Sequence, residues 1–548
     1  MTKKMCVIDI EANGFNPTEI FCMWLKEIDD GMTSLGTMRL FTSKPNFNLF
    51  DEYSTVIAHN GCGYDFPVLK KLWGMDLPLS KQVDTLIMSR LSRPDRKGGH
   101  SLAAWGDRLK FKKTEYSNGW DELTDEMLEY CKNDVLVCEK VYHQLLRELP
   151  YFSKESIRSE HRMQVLVNKV ENAGFAFNLE KAYKFYSKLI KKQKDITFQM
   201  QDTFPDTEIK LKTKTKYVPF NPASRKQIGE RLKERGWKPK EFTETGLPKI
   251  DENTLSRCDI PEAKVLAEYF VLQKRTGMLD SWIQNCGPDM RVHCKFHSLG
   301  AITNRMSSSG PNLQQIPSMR KPYGLECREL WIAEHGYQLL DTDAKSLELR
   351  VLAHYMNDPD NAKEVLEGDI HSTNQKMAGL PNRDAAKTFI YALCYGAGDA
   401  KLGTVVGGTA SDGKELRERF LSNLPSFMRL REAVTNKGRT RGTVKGIDGR
   451  VLRVRHPHAS LNTLIQGSSA VLMKNWFMNT DREMLAEGLD SKIVAMVHDE
   501  LVIESAHNDV DRVSECVRIS LQSVNKQFNL RCELDCDVIL GNNWSEIH

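Results

Sequence analysis

Short apolar runs punctuate the first 150 positions. "MCVIDI" and "STVIAHN" read as strands, whereas "DEMLEYCKNDVLVCEKVYHQLLREL" spaces its apolar residues as a helix does. The mixture predicts a self-contained α/β domain over residues 1–150, closing at "ELPYF". Residues 155–285 read as mostly helical and strongly charged. Lys184, Lys188, Lys191, Lys192 and Lys194 share one segment, and Lys210, Lys212, Lys214 and Lys216 fall in the short basic loop expected after it, from about Pro205 to Asn221. Acids are interspersed, so DNA contact competes with an ordinary solvated face. From residue 286 onward strands and helices alternate without an obvious linker. "RVHCKFHS" alternates as one strand, with Arg291, His293, Lys295 and His297 on a basic face and Val292, Cys294 and Phe296 on the other. That pattern, with no CxxC nearby, outweighs a zinc site built from Cys286, His293, Cys294 and His297. Further on, "IVAMV" and "LVIE" flank His498, Asp499 and Glu500, which has the grammar of a hairpin. Acids at such a bend are commonly just solvated, so this pair acquires meaning only beside others.

Composition adds bounds. At 548 residues the chain is too long for one core. Lys+Arg of 77 against Asp+Glu of 73 leaves +4, so any basic surface must be local. Thirteen cysteines, an odd number, without a recognisable secretory leader suggest a reducing cytoplasm and no disulfide framework. No apolar run approaches the ~18 residues a membrane span needs. The sequence carries no internal repeat and no low-complexity tract.

Two more clusters carry candidate chemistry. In "LLDTDAKSLELRVLAH" a strand-like run places Asp341 and Asp343 on one face before helix-forming residues begin, with Glu348 five positions beyond Asp343. Alone, an acid at a strand end is more often a cap than a ligand. In "NRDAAKTFIYALCYGAG", Arg383, Lys387, Tyr391 and Tyr395 recur every four residues, so one helix face presents two cations and then two rings. A ligand with phosphates at one end and a base at the other meets that face in order, and "GDIHS" adds His371 upstream. If the hairpin at Asp499 stands beside the strand ending at Asp343, their carboxylates can hold two Mg²⁺ ions whose shells are completed by phosphate. Such a pair serves in-line phosphoryl transfer.

"DAKSLELR", "RDAAKTFIYALCYGAG" and "VHDE", in this order, resemble motifs A, B and C of the family A DNA polymerases. "AITNRMSSSGPNLQQIP", "HASLNTLIQGSSA" and the terminal "NWSEIH" resemble the same family, so the likeness runs from about residue 155 to the end. It is nearer to replicative enzymes of small bacteriophages than to bacterial DNA polymerase I. The resemblance implies that Asp343 and Asp499 bind two catalytic metals with help from the Ala344 carbonyl. It implies that Arg383, Lys387 and His371 grip the incoming triphosphate, Lys387 counting with the catalytic set. Tyr391 would lie against the nucleotide sugar, Tyr395 near the templating base, and Glu348 against the sugar 2′ position. Arg305 and Gln466 would reach minor-groove acceptors, which every base pair offers. His498, beside the primer, and Glu500 would be supporting residues. Two positions depart from the family pattern: Asn304 stands where the family has glycine, and Asp341 adds an acid that either tunes metal affinity or faces solvent. The segment from Pro205 to Asn221 is too short for the long thumb insertion of the phage branch that borrows thioredoxin, so that partner is not expected.

A second set lies near the N-terminus. "VIDIEANG" puts Asp9 and Glu11 on one strand face, "HNGCGYDFPVL" supplies Asn60 and Asp65, and "YCKND" sets Tyr130 and Asp134 four apart on a helix. Four acids from three segments suit another two-metal centre, with water as nucleophile. They resemble the Exo I, II and III motifs of the DEDD-type 3′–5′ exonucleases, in the tyrosine variant.

The fold expected is an RNase H-like α/β exonuclease domain (1–150) followed by a right-hand polymerase domain of mixed α and β. Its thumb would occupy 155–285, its palm 286–355 and 462–548, and its fingers 356–461. The function expected is template-directed DNA synthesis with proofreading, for phage genome replication in the host cytoplasm. Two Mg²⁺ ions would serve each site, with Mn²⁺ able to substitute. Primer-template DNA and dNTPs are the partners of an expected monomer without membrane contact; helicase or single-strand-binding partners leave no trace in the sequence. A nuclease whose second half only grips DNA, and a non-catalytic DNA-binding scaffold, are the rivals.

Overall fold

The computed structural model describes residues 4–29, 34–149, 152–210 and 214–548. The expected domain end at residue 150 and the side chains of Lys210 and Lys212 lie outside the described residues. The chain divides into two compact units, one comprising 1–172, 296–308 and 342–538, the other 173–295, 309–341 and 539–548.

The larger unit begins with a five-stranded sheet. Its strands are β1 (Lys4–Ala12), β2 (Ile20–Asp29), β3 (Ser34–Phe41), β4 (Thr55–Ala58) and β5 (Gln82–Asp84), in the order β3-β2-β1-β4-β5. β1 pairs antiparallel with β2 and parallel with β4, so it is central and both its faces are covered. Cys6, Ile8 and Ile10 enter one core, Met5 and Val7 the other. Alternation then puts Asp9 and Glu11 on the Met5–Val7 side, where β1 runs out and apolar packing gives way to acids. The helices here are α1 (Asp65–Val68), α2 (Thr85–Ser92), α3 (Leu102–Leu109) and α4 (Asp125–Glu148). α4 begins where the Thr124 side chain accepts from the Met127 N–H at 3.1 Å, and Val135, Val137, Cys138 and Val141 bury its inner face.

Helix α5 (Lys154–Ala173) belongs to this unit rather than going with the rest of the expected thumb. The reason is electrostatic. Glu160, on α5, is fully buried and accepts from Arg450 at 2.7 Å and from Lys474 at 2.8 and 2.9 Å, while Arg450 also pairs with Asp448 at 2.8 Å. Removing one member of such a network leaves a buried charge uncompensated, at a cost of about 3–5 kcal/mol. Ser153 adds a 2.7 Å bond to the Asp448 carbonyl.

The remainder of the larger unit contains α6 (Leu347–Met356), α7 (Ile370–Ala378), α8 (Arg383–Cys394), α9 (Ser460–Ala486) and α10 (Val510–Gln527). Its sheet runs in the order Ser491–Val497, Glu500–Ala506, Tyr337–Ala344, Cys536–Gly541, which we label β7, β8, β6 and β9 by chain position. Of these residues, 337–341 and 539–541 are counted with the smaller unit. β7 and β8 form the expected hairpin, with Val497 opposite Glu500 and a two-residue turn of His498 and Asp499. His498 takes φ 54°, as a tight hairpin turn demands.

In the smaller unit long helices span Leu179–Thr203 and Pro261–Gln284. The expected basic loop proves to be a β-hairpin, Thr207–Lys210 against Thr215–Val218, because "TEIK" and "TKYV" have strand propensity and can pair across so short a connection. The single strand expected over "RVHCKFHS" is broken into Arg291–Val292 and Lys295–His297. Arg291 is not on a solvated basic face either: it is 7% exposed and donates to the Ala173 and Gly174 carbonyls at 2.7 and 3.0 Å. Asp341 is likewise buried rather than solvent-facing, its carboxylate 4.0 Å from His548. Among the described residues no helix is long and apolar enough to cross a membrane.

Candidate functional site

The larger unit contains two carboxylate clusters. In the first, β6 ends at Ala344, whose N–H donates to the Asp499 carbonyl at 3.2 Å, so the strand end carrying Asp343 and the hairpin turn carrying Asp499 are adjacent. Partial burial, then the charges of Asp499, Glu500 and Asp537, push the Asp343 carboxyl up to about 7. Asp537, a fourth acid, was not singled out in the sequence; the alternation of Asp535 and Asp537 in "LDCDV" was its one signal. Lys345 anchors that strand, its ammonium 2.9 Å from both Asp535 and Asp537.

Glu348 is the second residue of α6 and joins three expected site residues. It accepts from Arg305 and, at 3.0 Å, from the Tyr395 hydroxyl, which Gln466 also bonds. Burial, then Glu348, pushes the Tyr395 phenol up to about 12. Arg305 and Asp499 both act electrostatically on His498, whose imidazole burial drives down. Asn304 answers the missing glycine: it takes the left-handed φ of 60° that asparagine tolerates, inside a turn closed by its N–H on the Ala301 carbonyl at 2.9 Å.

α8 carries the ladder. Asn382 caps it, accepting from the Ala385 N–H at 2.8 Å, and Ala386, Phe389, Ile390 and Leu393 bury the opposite face. Arg383 and Lys387 are exposed, Tyr391 is half-buried, and Tyr395 closes the helix 6.2 Å from Tyr391, ring to ring. His371, on α7, lies 6.5 Å from Tyr391; burial and then Arg383 and Lys387 lower its pKa, so the three phosphate candidates form one group. Buried His371 Nδ1 has no hydrogen-bond partner among the described residues. Arg383 is paired with Asp369 at 2.9 Å, a contact that must open before Arg383 can take a phosphate.

The second cluster gathers Asp9, Glu11, Asp65 and Asp134. Asp65 begins α1 and accepts from the Ile10 N–H at 3.3 Å, while Cys131 on α4 donates to the Asp9 carbonyl at 3.3 Å. Burial first, and then the charges of neighbouring acids, raise Glu11 to about 9, Asp65 to about 7 and Asp9 well above its usual range; burial also raises Asp134, to about 6, against the opposing pull of Lys113. One oxygen of Asp134 is buried without a partner among the described residues. Hard oxygen donors, crowded at a cost that a cation would relieve, fit divalent metals such as Mg²⁺. Two helpers escaped the sequence reading. Asp84 is fully desolvated and accepts from the Asn60 and Cys62 N–H groups, each at 3.0 Å, which fixes the loop leading to Asp65. Lys113 pairs with Asp134 and lies 4.4 Å from the Tyr130 ring centroid. Neither had a spacing to betray it.

A family model described as DNA polymerase family A matches residues 190–546. The chain belongs to this family. The DNA-directed DNA polymerases of Enterobacteria phage T3 and Escherichia phage T7 are each 31% identical to it, covering 90% of this chain and 92% of their own length. DNA polymerase I of Aquifex aeolicus is 26% identical over 90% of this chain and 88% of its own. Among solved structures, the POL domain of Pol1 from M. smegmatis, in complex with DNA primer-template and dNTP, covers 99% of this chain and 96% of that one. Its TM-score is 0.81 at 20% identity, a likeness of fold. This family A DNA polymerase is therefore a DNA-directed DNA polymerase of mixed α/β architecture, and its family works with divalent metal ions.

Proposed function

We propose that this polymerase extends a primer on a DNA template and edits the product with a 3′–5′ exonuclease housed in residues 1–150, for phage genome replication in the host cytoplasm. The observation that carries the reading is the adjacency of Asp343 and Asp499, joined by the 3.2 Å bond between their strands, within the unit that holds the α8 ladder. Asp343, Asp499 and the Ala344 carbonyl would hold two Mg²⁺ ions, and Asp9, Glu11, Asp65 and Asp134 two more; Mn²⁺ would substitute. When bound, each pair supplies activation of the attacking oxygen and stabilisation of the leaving one.

The chain's own residues do the rest. Arg383 releases Asp369 and joins Lys387 and His371 on the triphosphate, while Tyr391 meets the sugar and Tyr395 the templating base. Glu348, held by Arg305 and Tyr395, is a fixed obstacle at the sugar 2′ position; firm support is what makes steric exclusion effective. Arg305 and Gln466 test minor-groove acceptors, and His498 supports the primer. Rotation of α8, in fingers at 356–461 against a palm at 286–355 and 462–548, with a thumb in the part of 155–285 that follows α5, would couple nucleotide selection to chemistry. In the editing site Tyr130 and Asp134, one α4 turn apart, would orient the water and the last phosphodiester. The enzyme would act as a monomer on primer-template and dNTPs, without thioredoxin.

Primer extension with Mg²⁺ tests the reading. Extension with dNTPs and 3′ shortening without them are expected; shortening alone would leave only a nuclease, and neither would leave a scaffold.

A further inference from the structure

Lys113 occupies a built position. Gly106, on α3, lets the chain pass so close that a Cβ there would stand 2.8 Å from the Phe111 carbonyl and 2.9 Å from the Lys113 nitrogen. On the far side, Asn133 of the "YCKND" segment accepts from the Thr114 N–H at 2.9 Å. The backbone of Lys113 is thus clamped between α3 and α4, and its ammonium is carried to Asp134 with its side chain only 20% exposed. The same segment packs rings over the site: Tyr116 lies 5.5 Å from Tyr130 and 4.9 Å from Trp120, centroid to centroid. Groups facing the ammonium are Asp134 and Tyr130 on α4, with Asp9 and Glu11 on β1 and His59 beyond β4 within its electrostatic reach.

A surface lysine needs none of this. Long side chains are normally left free because fixing one costs up to about 2 kcal/mol of rotamer entropy. Here one is fixed against a carboxylate that keeps its other oxygen buried and unpartnered, open to a second cation.

We propose that Lys113 is a positioning residue of the exonuclease site: it holds Asp134 and Tyr130 in register in the metal-free protein and competes with the divalent ion for Asp134. The inference rests on the editing function proposed above for residues 1–150. Were Asp134 to hold a metal, the Lys113 ammonium would be left to Tyr130, from whose ring centroid it stands 4.4 Å, and its charge there would favour negative charge developing on a nearby phosphate. The site is therefore poised, with the charge of one acid answered by a resident cation until a divalent ion takes its place.

Mn²⁺ binding to the full chain, followed by the electron-paramagnetic signal of free Mn²⁺, is the decisive measurement. The Asp9→Asn/Glu11→Gln variant provides the baseline that removes this site's contribution. Losing a competing unit charge at close range should tighten Mn²⁺ binding in Lys113→Met by about tenfold, while Lys113→Arg stays at the wild-type value. On a single-stranded oligonucleotide, Lys113→Met should lower exonuclease kcat at saturating metal about tenfold or more with KM for DNA changed far less, and Lys113→Arg should restore most of it. Primer extension by both variants should match wild type, which shows that they fold. Unchanged or weaker Mn²⁺ binding in Lys113→Met overturns the proposal whatever the nuclease does. If wild type fails to shorten DNA while Mn²⁺ binding still tightens, the editing function falls but the competition for Asp134 stands.

Discussion

The two carboxylate clusters solve one electrostatic problem in opposite ways. Around Asp9, four acids are packed into the end of a doubly covered strand, and a clamped lysine is the nearest compensation. Around Asp343, the leading acid is only partly covered, and Arg383 and Lys387 stand exposed on α8, where a substrate could meet them first. On the proposed reading, a buried site can be assembled in advance because hydrolysis would need only water and a frayed strand end. The more open cluster has Lys345 on Asp537 at its margin and leaves Arg383 and Lys387 exposed on α8, where a nucleotide bringing its own negative charge would meet them. Arg383 makes the point, parked on Asp369, whose carboxyl it draws well below the usual range.

The sharpest break between the clusters is genetic. Asp343→Asn or Asp499→Asn should lower primer extension by about 10⁴-fold or more and leave shortening of single-stranded DNA unchanged, whereas Asp9→Ala with Glu11→Ala should do the reverse. Crossed losses in both assays would mean one shared site. Next comes selectivity: Glu348→Ala removes the obstacle and frees Arg305 and Tyr395, so the preference for dNTP over rNTP in single-nucleotide kinetics should fall about 100-fold. An unchanged ratio places the sugar elsewhere. A smaller effect is expected at Tyr391, whose hydroxyl can stand in for a missing 3′-OH. Tyr391→Phe should discriminate against ddNTPs about tenfold more than wild type, and no gain would remove Tyr391 from the sugar.

The least is asked of pH. Glu11, Asp65, Asp134 and Asp343 bind protons more tightly folded than unfolded, with folded values of about 9, 7, 6 and 7. The native state then holds more protons than the unfolded one, so metal-free stability is greatest below about pH 4 for these groups and is lost as pH rises toward 9. With EDTA, Tm should fall by a few degrees between pH 6 and 9 relative to the same titration in saturating Mg²⁺. Glu11→Gln should shrink that difference more than Asp343→Asn, because a folded value of about 9 against about 7 keeps Glu11 protonated further up the same pH window. Equal slopes with and without metal would mean the ions do not relieve these acids.

Much of this was visible beforehand. The hairpin at His498, the strand ending near Asp343 and the four-residue ladder on α8 are written in local spacing, and so are the three acidic segments of the proposed editing site. Other features were not. The 207–218 hairpin was read as a loop because its strands are only four residues each. α5 looked like the start of the thumb because nothing about "SEHRMQ" announces that Glu160 will be sealed beneath Arg450 and Lys474. Lys113 is one of two adjacent lysines in "FKK", and which one turns inward depends on Gly106 and Asn133.

By itself, then, the sequence determined the elements and the chemical kind of each site, since periodicity and capping act over a few residues. The tertiary structure alone decided which acids meet, which lysine answers them, and that Glu348 is braced by Arg305 and Tyr395. Those pairings join distant segments, and the energy that selects them is spread over many weak packing contacts that no short stretch of chain contains.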